Sequence, residues 1–173
     1  MLELKLEKGM IFCSRNPMLL GRAINFVQKA WAKDDQSEYS HSGIIVKGGN
    51  IEDCISFEAL WTNHQQNFYK AYQGKKVLIG RHIEMTPERF QKGWNGIRKH
   101  EGKWYAGHRL PLFFIPFLAK YANFGLGVCS ELTAKFLFKA ELLDYWTGVN
   151  PDDVADIIHR WRAFEVVFQD VLN

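Results

Sequence analysis

Tyr39-Ser40-His41-Ser42-Gly43-Ile44-Ile45-Val46 is a run of β-forming residues that ends at Gly48-Gly49-Asn50 and is followed by a second β-prone run over residues 51–60. A short glycine-rich reversal between two such runs makes them antiparallel neighbours, because a parallel pair needs a much longer crossover. This hairpin constrains the chain more than any other stretch, since a sheet must then be built around it. Met10-Ile11-Phe12-Cys13 reads as a short buried strand, residues 76–82 as a third strand of the meander, and residues 164–168 as a closing strand. Residues 61–72 are polar and aromatic without clear periodicity and read as a loop or short helix.

Helical signals occupy the remaining segments. Leu19, Leu20, Ala23, Ile24, Val27 and Trp31 recur at three- and four-residue steps, predicting a helix over residues 18–31. Thr86-Pro87-Glu88 opens another with a capping side chain, a proline in the first turn and an early acid, and Gly102 closes it. Asn150-Pro151-Asp152-Asp153 opens a late helix whose buried stripe is Val154, Ile157, Ile158 and Trp161. Strands, a helix, more strands, helices and a last strand describe an α+β domain with one largely antiparallel sheet.

Composition excludes several classes. At 173 residues, with 47% hydrophobic and 14% aromatic content, the chain can build a sizeable core, and neither disorder nor a fibrous repeat fits. The net charge of +3 comes from scattered lysines and arginines, so no nucleic-acid partner is expected. Cys13, Cys54 and Cys129 cannot all pair and have no CxxC spacing, which points to reduced thiols and away from a disulfide framework or a structural zinc site. The first eight residues alternate charge with leucine and encode no secretory signal, so a cytoplasmic location is expected. Residues 110–118 are the most apolar stretch, yet too short and too broken by proline for a transmembrane segment, and read as a buried helix or an apolar lid.

The chemistry centres on Gly127-Val128-Cys129-Ser130-Glu131-Leu132. Gly125 and Gly127 interrupt the preceding apolar run, and Leu132, Phe136, Leu137, Ala140 and Leu143 then recur with helical spacing, so Cys129 stands at a helix start. The first backbone N–H groups of a helix lack internal partners and carry the positive end of its dipole, which favours thiolate over thiol. The alternative is that Cys129 is a small buried hydrophobe. A thiol nucleophile also needs a base. Of six histidines, His41 is embedded in a strand, which fixes its direction; His82 ends a strand and is the reserve candidate, while His64, His100, His108 and His159 lie in polar, glycine-flanked or late helical segments.

Taken in order, Gly9-Met10-Ile11-Phe12, Tyr39-Ser40-His41-Ser42-Gly43-Ile44, Phe57-Glu58-Ala59 and Val128-Cys129-Ser130-Glu131-Leu132 resemble the circularly permuted branch of the NlpC/P60 papain-like cysteine hydrolases, over nearly the whole chain. In that branch the sheet comes first and the cysteine helix is C-terminal to it. The resemblance implies a single permuted papain-like domain over residues 1–173. It implies Cys129 as nucleophile, His41 as general base and then acid, and Glu58 as the residue orienting the imidazole; read from the strand alone, Glu52 and Asp53 are substitutes for Glu58, and Glu58 can equally be a solvent-exposed strand residue. Strand alternation places Glu58 with Glu52, Cys54 and Ser56, opposite Ile51, Ile55 and Phe57. Tyr39 and Tyr105 are the substrate-binding residues it implies; after Tyr105, Ala106 stands where family members often carry an acid.

The activity so implied is cleavage of an amide or ester in a peptide, cell-wall peptide or lipid amide through a thioester, with no metal and no cofactor, the acyl group passing to water or to another acceptor. The aromatic stretch at 110–117 would suit an acyl-chain pocket or core. The alternative reading is a catalytically silent papain-like module that binds lipid or a protein partner.

Overall fold

Six strands pair side by side in the computed structural model, which describes residues 4–15, 39–60, 62–103 and 129–173. They are β2 (Ile11–Ser14), β3 (His41–Lys47), β5 (Ile55–Ala59), β6 (Asn63–Asn67), β7 (Lys76–His82) and β8 (Phe164–Val171), in the order β6-β5-β3-β2-β7-β8 with every neighbour antiparallel. A two-stranded ribbon joins β1 (Lys5–Leu6) to β4 (Gly49–Asn50). The helices are α1 (Phe68–Tyr72), α2 (Pro87–Ile97), α3 (Cys129–Lys139) and α4 (Pro151–Arg160). The expected helix at 18–31, the apolar stretch at 110–118, and Trp61, Tyr105 and His108 lie outside the described residues.

The hairpin read from the sequence differs at its turn. Gly48-Gly49-Asn50 does not reverse the chain tightly; Gly49 and Asn50 pair with β1, and Ile51–Asp53 wind into one 3-10 turn before the return strand starts at Ile55. The third strand, β7, does not continue the meander; it pairs with β2 and β8, which makes β2 central. Residues 61–72 hold a strand as well as a short helix. Asn63-His64-Gln65-Gln66-Asn67 has no β-formers, and it is held as the edge strand by its backbone pairing to β5.

Each face of the sheet has its own core. Alternation along β2 sends Ile11 and Cys13 to one face and Phe12 to the other, and β3 does the same with Ile44 and Ile45. The first face is covered by α3 and α4 through Leu132, Phe136, Leu137, Val154, Ile157 and Ile158, together with Ile97 of α2. Close approach there needs glycine: a Cβ on Gly80 would sit 2.7 Å from Ile158, and one on Gly93 2.7 Å from the Phe136 ring. The second face carries Phe12, Ile45, Cys54, Phe68, Tyr72, Val77 and Ile79 under α1. The cap signals act as read: Thr86 accepts from the Arg89 N–H, and Asn150 and Asp153 form a reciprocal capping box. Trp161 departs from its stripe. The helix ends at Arg160, so Trp161 becomes the cap residue and is 37% exposed.

Candidate functional site

Cys129 is the first residue of α3 and is buried. Three hydroxyl contacts fix that end of the helix. Thr133 Oγ1 donates to the Cys129 carbonyl at 3.1 Å, and Ser42 Oγ on β3 lies 3.2 Å from Thr133 Oγ1. Because Thr133 has one proton and gives it to the carbonyl, Ser42 is the donor in that pair. Ser130 Oγ donates to the Val149 carbonyl at 2.6 Å, tying the same turn to the segment before α4.

His41 is the first residue of β3 and pairs in register with Ser14. Its ring belongs to the face opposite α3: cross-strand partners share a face, and Phe12 and Tyr72 of the second core each lie 6.4 Å from it, centroid to centroid. Standing at the end of the strand, the ring hydrogen-bonds past the sheet to the Cys129 sulfur. Its Nε2 is 2.7 Å from Glu58 Oε2, which leaves Nδ1 for the sulfur.

Glu58 faces away from α3, as the alternation of β5 requires, and it is fully buried among His41, Tyr72 and Ser56. Its register partner on β3 is Gly43, two residues from His41, so the carboxylate reaches the ring diagonally. Glycine is needed there. A Cβ on residue 43 would lie 2.6 Å from Phe12 Cζ and 3.1 Å from Glu58 Cβ, so the tip of the Phe12 ring lies against bare backbone beside the His41–Glu58 pair. Glu52 and Asp53, the proposed substitutes, are exposed in the 3-10 turn.

Tyr72 and Ser56 were not singled out in the sequence. The Tyr72 hydroxyl donates to Glu58 Oε2, and Ser56 Oγ donates to Oε1 at 2.6 Å. Ser56 was discoverable, two residues from Glu58 on the same face. Tyr72 was not, because it comes from the segment without periodicity.

The electrostatics follow from these contacts. Burial pushes the Cys129 thiol up, but the His41 charge and hydrogen bond, with the backbone N–H groups of Ser42 and Ser130, bring it below the ordinary thiol range. Burial alone would lower the imidazole; the Cys129 sulfur, then Glu58, raise it instead to about 10. Burial would raise Glu58, and the donors His41, Ser56 and Tyr72 hold it down at about 2. The arrangement is a sulfur, an imidazole and a carboxylate in a row, each with its charged form favoured by its neighbours. The other two thiols behave oppositely: burial raises Cys13 and Cys54.

The remaining described residues of the sequence reading stand elsewhere. Tyr39 is buried in the core beneath α3. His82 is at the far end of β7; Ser14 pairs with both His41 and Val77, so His82 is about 17 Å further along the sheet. Burial lowers its pKa, and its Nδ1 accepts from the Glu84 N–H at 3.1 Å. His64 bonds the Thr62 carbonyl, His100 lies against Lys135, and His159 is exposed at the end of α4.

Fold and site together define an α+β protein whose antiparallel sheets carry helices. Among solved structures, the chain is similar to the metalloprotein YiiX of Escherichia coli O157:H7, a DUF1105 protein, with 18% identity and a TM-score of 0.62 over 95% of this chain and 97% of that one. At that identity the likeness is one of fold. No family model and no curated protein matches the chain. No helix among the described residues is long and apolar enough to cross a membrane.

Proposed function

We propose that the chain is a cysteine hydrolase or acyl transferase of the permuted papain-like kind, acting on an amide or ester through Cys129, His41 and Glu58. One observation carries the reading: a sulfur at a helix start is hydrogen-bonded to an imidazole whose far nitrogen is 2.7 Å from a fully buried carboxylate. That geometry supplies a nucleophile, a proton carrier and an orienting anion.

In the proposed reaction the Cys129 thiolate attacks the substrate carbonyl carbon and the C=O electrons move to oxygen. A backbone N–H at the start of α3, that of Cys129 first, is the natural donor to this oxyanion. Collapse expels the amine or alcohol, which takes the proton from His41, and a thioester remains. Water, or another acceptor, then loses its proton to His41 while attacking the thioester, and the thiolate is released with the acyl product. Glu58 keeps the ring oriented and compensates its charge throughout.

YiiX is described as a metalloprotein. The donors described here do not fit a metal: His41 Nε2 and Glu58 Oε2 are engaged with each other, Oε1 is taken by Ser56, and among the described residues no group of three His, Cys, Asp or Glu is arranged so that it could hold a metal ion.

The test is differential alkylation. At pH 7 iodoacetamide should modify Cys129 at least about tenfold faster than Cys13 or Cys54, and His41→Ala should abolish the difference. Equal rates at the three cysteines would overturn the proposal. Incubation with pooled peptides and lipids, followed by intact-protein mass spectrometry, should then reveal an acyl adduct on Cys129 and identify the substrate class.

A further inference from the structure

A carboxylate turns readily about its last bond, and one contact to a histidine does not hold it in a single orientation. Glu58 has more than one. Oε2 receives both His41 Nε2–H and the Tyr72 hydroxyl, and Oε1 receives Ser56 Oγ at 2.6 Å, so both oxygens are occupied within a site that water does not reach. We infer that Tyr72 is a positioning residue of this site, its hydroxyl fixing Glu58 as an anion aimed at His41 while Ser56 pins the other oxygen. The inference rests on the thiol reading above for its relevance to catalysis, and on the hydrogen bonds alone for its geometry.

Tyr72 is itself held in place. Its ring meets Phe12 edge-on at 5.0 Å and Phe68 at 5.1 Å, and Lys75 Nζ lies 5.2 Å above it. The Tyr72 and His41 rings are nearly parallel, 16° apart, so hydroxyl and N–H arrive at Oε2 from similar planes. The phenol oxygen in turn accepts from the Ser14 side chain, and Ser14 is the register partner of His41. His41, Glu58, Tyr72 and Ser14 therefore form a closed loop of contacts across β3, β5, α1 and β2. Burial and the neighbouring Glu58 charge both keep the proton on Tyr72, so it remains a donor. Among the described residues, the ionisable groups facing the loop are Cys129 from α3, Glu58 from β5, Tyr72 from α1 and Lys75 just after it; Cys13 points to the opposite face of β2.

Tyr72→Phe keeps the ring and removes the donor. In the full-length chain the Glu58 proton affinity should rise about tenfold, one unit in the carboxyl titration followed by carbon-13 NMR. The acid limb of Cys129 alkylation should move toward neutrality by a similar amount. Fluorotyrosine at position 72, which retains the hydroxyl, should restore the wild-type limb. Ser56→Ala should shift the Glu58 titration in the same direction through Oε1, and it decides the matter if Tyr72→Phe does not fold. A role confined to packing would lower the melting temperature and leave both titrations in place. Unchanged Glu58 titrations in Tyr72→Phe and Ser56→Ala overturn the inference. Slow alkylation of wild-type Cys129 would instead overturn the thiol reading, and the Glu58 titration, which needs no reactive cysteine, would still decide the role of Tyr72.

Discussion

Replacing Glu58 by Gln removes one charge and almost no volume, so its effect can be worked from the contact itself. The His41 Nε2 to Glu58 Oε2 distance is 2.7 Å, which puts the delocalised charge centres roughly 4 Å apart. At an effective dielectric near 20 that attraction is about 4 kcal/mol, or about three pKa units on the imidazole. The ring, held at about 10 in the native protein, should therefore titrate well below that value in the variant. Ser56 can turn its hydroxyl toward the Gln66 carbonyl, 3.5 Å away, so the new amide need not leave it stranded. The sign for stability follows. An imidazole raised above its ordinary 6.5 stabilises the fold in full below that value and loses the contribution as pH climbs through about 10. Glu58, held at about 2 against an ordinary 4.5, contributes above 4.5 and loses it as pH falls toward 2. The assay is an NMR titration of His41 alongside Cys129 alkylation from pH 4 to 10. A His41 midpoint within half a unit of wild type would refute the electrostatic account.

Two further substitutions probe how the site is supported. Gly43→Ala places a methyl 2.6 Å from Phe12 Cζ and 3.1 Å from Glu58 Cβ, and should cost about 1–3 kcal/mol in urea unfolding while slowing Cys129 alkylation; an unchanged midpoint would show that the Phe12 ring moves aside freely. Asn150→Ala removes the acceptor for the Asp152 and Asp153 N–H groups, 2.8 and 2.9 Å away, and should cost about 1 kcal/mol with alkylation unaffected.

Much of the frame was legible because it obeys local rules. Cys129 could be placed at a helix start from the glycine break and the apolar recurrence after it, and His41 on a strand from its β-forming neighbours. Glu58 shares a face with Ser56 as read, while Ile51, read as opposite, lies in the same core as Cys54 because residues 51–53 form a turn; alternation also says only that two residues share a side, not which partner waits there. The cysteine helix covers one face and the carboxylate uses the other; His41 joins them at the end of the sheet. What escaped was imposed from a distance. The edge strand at Asn63–Asn67 is polar and pairs by backbone, and Tyr72, next in line, acquires its partner only once that strand has set the path of the chain. Trp161 shows the converse error, a periodic pattern continued one residue beyond the point where the helix stops.

The placement of His41 at the sheet's end has a bearing on how such a protein could change. On the proposed reading, groups that recognise a substrate would meet the sulfur on the helix side, while Glu58, Ser56 and Tyr72, which act on the far side of the imidazole, lie buried behind the strands. Selectivity and part of the acid–base strength would then be governed by separate sets of residues. A lineage could exchange one kind of acyl donor for another without disturbing the pH range in which the site is armed.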